Sequence, residues 1–190
     1  SRQRLTRLIG VEVAKEPLML RCMKLLGIGM VNAFALVAVI GDVRRFESAA
    51  KLVAYLGLNP GQRVSGRGKH VKLGVGKRGR GDMRHLLVQG AHAVLRMGRH
   101  SKLGEWGMKL LLRKGNRNVA VAAVARKLAV QVWHLLSGNP PEMLETDKSL
   151  RTKLGKLCVT LGKKLRAELA FPPRIAETVD YLCQRIASPQ

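Results

Sequence analysis

The sequence predicts a mainly α-helical protein carrying a helix-hairpin-helix-like motif and a basic, glycine-rich loop. Three observations lead there. Apolar residues make up 46% of the chain and are mostly Ala, Val and Leu, with only 4% aromatic, which points to helices. Apolar positions recur at helical spacing in one segment after another. The stretch NPGQRVSGRGKHVKLGVGKRGRGD (59–82) breaks that pattern with seven Lys or Arg, seven glycines and no acid before Asp82. At 190 residues the chain has room for one domain, or for a domain with an appendage.

Taken in order, Leu5, Leu8, Ile9 and Val13 stand at helical spacing among arginines and predict an amphipathic helix over 2–16. Pro17 suits the first turn of a second helix, LMLRCMKLL, which stops at Gly27. Gly27-Ile28-Gly29 then precedes MVNAFALVAVIGD, with a small residue, Ala33, four positions after the second glycine. Such glycines allow a tight hairpin between helices and let backbone N–H groups approach a phosphate closely. An ordinary αα-corner with a glycine C-cap gives the same pattern. FESAAKLVAYLGLNP (46–60) predicts a short helix ending at Gly57 and Pro60, and VKLGVGK alternates enough for a short hairpin.

Beyond the loop, Asp82 is a candidate N-cap for DMRHLLVQGAHAVLRM, whose Leu86, Leu87, Gly90, Ala91 and Val94 fall on one face. A helix over 103–114 breaks at Gly115-Asn116, and an Ala/Val-rich helix over 117–137 is the expected centre of the core. Arg113, Lys114 and Arg117 gather where that long helix starts, a candidate anion site or a solvated helix end. SGNPPE (137–142) reads as a boundary, and the tail as two amphipathic helices joined at Pro172-Pro173.

Charge narrows the function. The net charge of +23 comes from 35 Lys and Arg against 12 Asp and Glu. Between Glu47 and Glu142 stand eighteen Lys or Arg and only two acids, Asp82 and Glu105. Charge this uneven calls for a polyanion, and nucleic acid is the expected one. The run MVNAFALVAVI (30–40) is too short to span a bilayer, so no membrane partner is expected. Cys22, Cys158 and Cys183 stand singly, as buried thiols in a reducing compartment would. The five histidines and scattered acids have no metal-ligand spacing, so no metal site is expected from this chain alone.

Among candidate nucleophiles, Ser65 differs from the other serines because Arg63, Arg67 and Lys69 surround it, with Lys72 nearby. Lys77, Arg78 and Arg80 continue the basic loop. Cations beside a serine stabilise a developing phosphorane and lower the cost of the alkoxide; the same serine could equally be one more phosphate donor or a turn residue. Tyr55 lies in LVAYLGL, which reads as core.

Three blocks in order, GIGMVNAFALVAVIGDVRRFESAAKLVAYLGLNPGQRVSG, KLGVGKRGRGDMRHLLVQGAHAVLRM and VAVAAVARKLAVQVWHLL, resemble the C-terminal domain of the DEDD insertion-sequence transposases of the IS-one-ten and IS-eleven-eleven type. The resemblance covers residues 25–137. It rests on Gly27-Ile28-Gly29, Gly41-Asp42 with Arg45-Phe46, Tyr55 to Pro60, Ser65-Gly66, Lys77-Arg78-Gly79 and Ala125-Arg126-Lys127-Leu128. Where the family loop has a Ser-Ser-Gly-Gly cluster, this chain has Val64-Ser65-Gly66-Arg67.

The resemblance implies residues 1–24 as the end of a connecting helix from an N-terminal RuvC-like domain, whose carboxylates bind Mg²⁺. Residues 25–137 would be the helical domain with the nucleophile loop, and 138–190 a helical extension. Ser65 matches the family's nucleophile, which attacks a DNA phosphodiester and forms a phosphoserine intermediate. The implied partners are element-end and target DNA, a noncoding guide RNA and further copies of the protein, in the cytoplasm of a prokaryote at its nucleoid. The other reading is a non-catalytic helix-hairpin-helix module that clamps DNA or RNA backbone, in which the loop matters only as total charge.

Overall fold

A computed structural model describes residues 1–64, 70–75, 78–97, 101–139 and 147–187, with 60–64 and 70–75 described by backbone alone. The described chain is mainly helical and divides into two compact units, Ser1–Gly41 with Leu144–Gln190, and Asp42–Met143. These divisions fall after positions 41 and 143. The first three helices pack with the last two, so the glycine turn shares a unit with the tail.

In the first unit, α1 (Arg2–Lys15), α2 (Pro17–Cys22) and α3 (Met30–Ile40) assemble with α8 (Asp147–Glu168) and α9 (Ile175–Ala187). Glu16 caps α2 by accepting from the Leu18 amide, and Pro17 takes the first helical position, where a missing N–H costs nothing. The core is Val13, Leu20, Leu25, Ile28, Leu36 and Ile40 against Leu154, Leu157, Leu161 and Leu182. Helix α1 is covered only along its later turns, where Leu157, Leu161 and Met30 close on Gly10. Leu5 and Leu8, expected inside, are 61% and 56% exposed. At its far end, the Arg185 guanidinium donates to the Ala14 and Lys15 carbonyls at 2.9 and 3.0 Å, a cation on the negative end of α1. Helix α8 kinks at Gly162. The Pro172-Pro173 link after it is pinned by Arg166, which donates to the Pro173 carbonyl at 3.1 Å.

In the second unit, a 3-10 turn (Val43–Arg45) and α4 (Ala49–Tyr55) lead into strands β1 (Pro60–Val64) and β2 (His70–Val75). The strands pair antiparallel, with Val64 opposite His70 and Pro60 opposite Val75. Helices α5 (Gly81–Met97), α6 (Lys102–Lys114) and α7 (Arg117–Leu136) follow. As its composition predicts, α7 is central, packing on α4, α5 and α6 through Ala120, Val124, Leu128 and Val132. It is long and apolar enough to cross a membrane by length and composition alone, yet half of its apolar window is buried inside this fold. Small residues let it sit close: a Cβ at Gly107 of α6 would lie 2.7 Å from Leu95 Cδ2 and 2.8 Å from Val124 Cγ2. Helix α5 begins at Gly81, so Asp82 stands in its first turn, where it faces the positive helix end. Its buried face is Met83, Leu87, Gly90, Ala91, Val94 and Leu95, with Leu86 half-buried at the edge.

Candidate nucleic-acid interface

The basic hairpin is rooted by two glycines. Gly57 ends α4 at φ 75° and Gly79 follows β2 at φ 84°, both in the left-handed region that glycine enters without strain. Their backbones touch: a Cβ at Gly79 would stand 2.7 Å from Gly57 Cα and 2.7 Å from the Ala54 carbonyl oxygen. The Arg80 amide donates to the Tyr55 carbonyl at 3.0 Å beside that contact, and the Arg84 guanidinium donates to the Gly57 carbonyl at 3.0 Å. The chain thus enters and leaves the hairpin at one fixed point.

An aromatic and cationic cluster surrounds this root. Asp42 starts the 3-10 turn by accepting from the Arg44 amide at 2.9 Å, and the turn carries Arg45 and Phe46 onto α4. The Arg45 guanidinium lies 4.5 Å from the Phe46 ring centre and 4.8 Å from that of Tyr55, and the two rings are 5.2 Å apart. The Phe46 carbonyl accepts from Trp133 Nε1 at 3.4 Å, which ties the cluster to α7. Tyr55 is half-exposed, not core. A hydrogen bond from Arg45 holds its phenol pKa below the ordinary tyrosine value; desolvation opposes it, and the charge of Arg45 and a hydrogen bond from Arg80 add smaller lowering effects. Arg80 is also paired with Asp82 at 2.6 Å, and that hydrogen-bonded guanidinium pulls the Asp82 carboxyl down to about 2.

The residues predicted from the sequence fall in several places. Arg78 and Arg80 flank Gly79 at the root and are exposed. Arg63 and Lys72 lie on β1 and β2, opposite Val71 and Gln62. Ser65, Arg67, Lys69 and Lys77 lie outside the described residues, as do Pro140, Pro141 and Glu142 of the predicted boundary. Arg113 and Lys114 occupy the last turn of α6, where they complement its negative end, while Arg117 opens α7. The first amides of α7, the candidate donors to an anion there, already carry side-chain bonds. Asn116 Oδ1 accepts from the Asn118 and Val119 amides at 2.9 and 3.3 Å, taking donors an anion would use.

Gly27 and Gly29 lie at the α2–α3 connection, within the first unit. There Lys153 of α8 donates to the carbonyls of Met23, Leu25 and Ile28 at 2.9, 2.8 and 2.8 Å, holding the turn. Sequence reasoning missed Arg45, Tyr55 and Arg84. Arg45 and Tyr55 were visible inside the GDxxRF and AYLGL motifs, but their meeting depends on the turn between them. Among the described residues no three His, Cys, Asp or Glu gather as metal ligands would.

Residues 20–104 match the family described as Transposase IS116/IS110/IS902. This segment is similar to transposases. The chain is 38% identical over 113 residues to the transposase for insertion sequence element IS1111A of Coxiella burnetii, covering 58% of this chain and 30% of that protein. It is 35% identical over 136 residues to a probable family 20 transposase of Pseudomonas aeruginosa, covering 70% and 40%. It is also 28% identical over 115 residues to a pilin gene-inverting protein of Moraxella lacunata, covering 60% and 35%. The chain therefore spans well under half the length of these curated relatives. No solved structure matches it.

Proposed function

We propose that this chain is the DNA-binding, serine-bearing C-terminal part of an insertion-sequence transposase or recombinase. One observation carries the reading: the matched segment contains the whole basic hairpin, and the Gly57–Gly79 contact holds that hairpin's root among Arg45, Arg78, Arg80 and Arg84. A rigid root under a cationic loop positions a phosphodiester without spending binding energy on ordering the loop's ends.

In this reading Ser65 Oγ loses its proton to solvent or a base and attacks the scissile phosphorus. The new O–P bond forms as the P–O bond to one deoxyribose oxygen breaks, and that oxygen takes a proton. A hydroxyl from the second DNA then reverses the step. Arg63, Arg67 and Lys69 neutralise charge on the phosphorane, and Lys72, Lys77, Arg78 and Arg80 hold flanking phosphates. Gly27 and Gly29 and the corner of Arg113, Lys114 and Arg117 are proposed as secondary backbone contacts. Mg²⁺ belongs to DEDD carboxylates of a RuvC-like domain outside this chain, and no step here runs through it. Specificity is delegated to a noncoding guide RNA, and two or more copies bridge the DNAs.

Ser65→Ala tests this directly in the complete protein with its RNA and DNA. DNA affinity and its salt dependence stay within about twofold of wild type, while strand exchange is lost. For a module that only clamps backbone, Ser65→Ala changes nothing, and each lost cation lowers the salt slope by about 0.9 on duplex DNA, whichever residue it is.

A further inference from the structure

Beside α7 lies an open groove of about 380 Å³, lined by Trp106, Arg126, Lys127, Val53, Ala123 and Asn59. Its lining comes from α4, the residue before β1, α6 and the middle of α7. Asn59 is the residue before β1, so the groove borders the hairpin root, while Arg126 and Lys127 are the outward members of an Ala-Arg-Lys-Leu motif whose Ala125 and Leu128 are buried. The Lys127 ammonium sits 4.4 Å from the centre of the Trp106 ring system, which fixes the indole at the groove. Apolar walls, an indole, an amide at the rim and two cations are the chemistry of a nucleotide: flat π-surface, polar edge and phosphate. An apolar helix from a protein partner would have to desolvate both cations.

We infer that this groove is a nucleotide pocket that takes an unstacked base from a single-stranded or splayed segment of nucleic acid, stacked on the indole face that Lys127 does not cover, with Arg126 on the adjoining phosphate. The inference rests on the nucleic-acid reading above and adds to it a preference for single strands, because bases within a duplex offer no free face to the indole.

Trp133→Phe leaves Trp106 as the only tryptophan. That variant is titrated with a fluorescein-labelled thymidine oligonucleotide and with a duplex of equal length, following label anisotropy and indole emission together. Expected are binding of both DNAs and quenching of Trp106 by the single strand alone. Trp106→Ala weakens the single strand about tenfold and the duplex less than about twofold. Arg126→Ala, a change at an exposed position, lowers the single-strand salt slope by about 0.7. Anisotropy showing binding with Trp106 emission unchanged, and Arg126→Ala binding as wild type, overturns the pocket and leaves the proposed function standing. Absence of any binding by anisotropy overturns both.

Discussion

Gly79 meets Gly57 backbone to backbone, 22 residues and a whole hairpin away in sequence, at a distance that leaves no room for a side chain on Gly79. The contact joins two motifs, Leu56-Gly57-Leu58 and Lys77-Arg78-Gly79. Gly79→Ala carries both a positive φ and an overlap with backbone atoms that cannot yield. Its φ alone costs about 1–3 kcal/mol. Thermal unfolding of Gly79→Ala shows a lower Tm, and DNA affinity falls further than that of a control such as Gly155→Ala, where a Cβ meets nothing within 4 Å.

Close packing of α6 on α5 and α7 gives a second prediction. Gly107→Ala pushes a methyl against Leu95 and Val124, and overpacking of this kind costs about 1–3 kcal/mol in denaturant unfolding. Adding Leu95→Ala relieves the overlap, so the double variant loses less stability than the sum of its two parts.

Lys153 makes a third. Its ammonium satisfies three carbonyls of the α2–α3 turn. Lys153→Met leaves them without that donor and destabilises the fold by about 2 kcal/mol. Hydrogen exchange at residues 24–30 rises in this variant, while α5–α7 amides, in the other unit, keep their protection.

Tyr55 supplies a pH test. Its phenol pKa is depressed in the fold, so the stabilisation it brings is present above the unfolded tyrosine pKa and is lost as pH falls through the folded one. In Tyr181→Phe, where Tyr55 is the sole tyrosine, phenolate absorbance appears at lower pH than in the unfolded chain. Arg45→Met moves the onset upward. A titration identical in folded and unfolded chains contradicts the cluster.

Burial pushes the Cys22 thiol up to about 12, and the thiols of Cys158 and Cys183 are raised by the same cause. A disulfide reagent at neutral pH therefore modifies Cys22 only after unfolding, whereas Cys183, the least buried, reacts first.

Most helices were legible because each carries its own start, period and stop. Pro17 opens α2, Asn116 caps α7, Gly115 ends α6, and the Ala/Val face of α7 announces the core. What stayed hidden depends on chain segments far apart. Leu5 and Leu8 have helical spacing, but spacing cannot say where a neighbouring helix stops covering the face. Lys153 looked like any tail lysine, since its partners lie 125–130 residues away. Tyr55 read as core because its neighbours in sequence are apolar, while its real neighbours, Arg45 and Arg80, arrive from the turn before α4 and from beyond the hairpin. Trp106 and Arg126 likewise meet only once α6 lies on α7.

The central claim is that the rooted basic loop presents a nucleophile and not merely charge. The complete protein is incubated with Mg²⁺, its RNA and element-end DNA, quenched in denaturant, digested and mapped by mass spectrometry for a peptide joined to DNA. The account predicts a phosphodiester adduct on Ser65 that disappears in Ser65→Ala. An actively recombining protein with no adduct, or with an adduct on another residue, contradicts it.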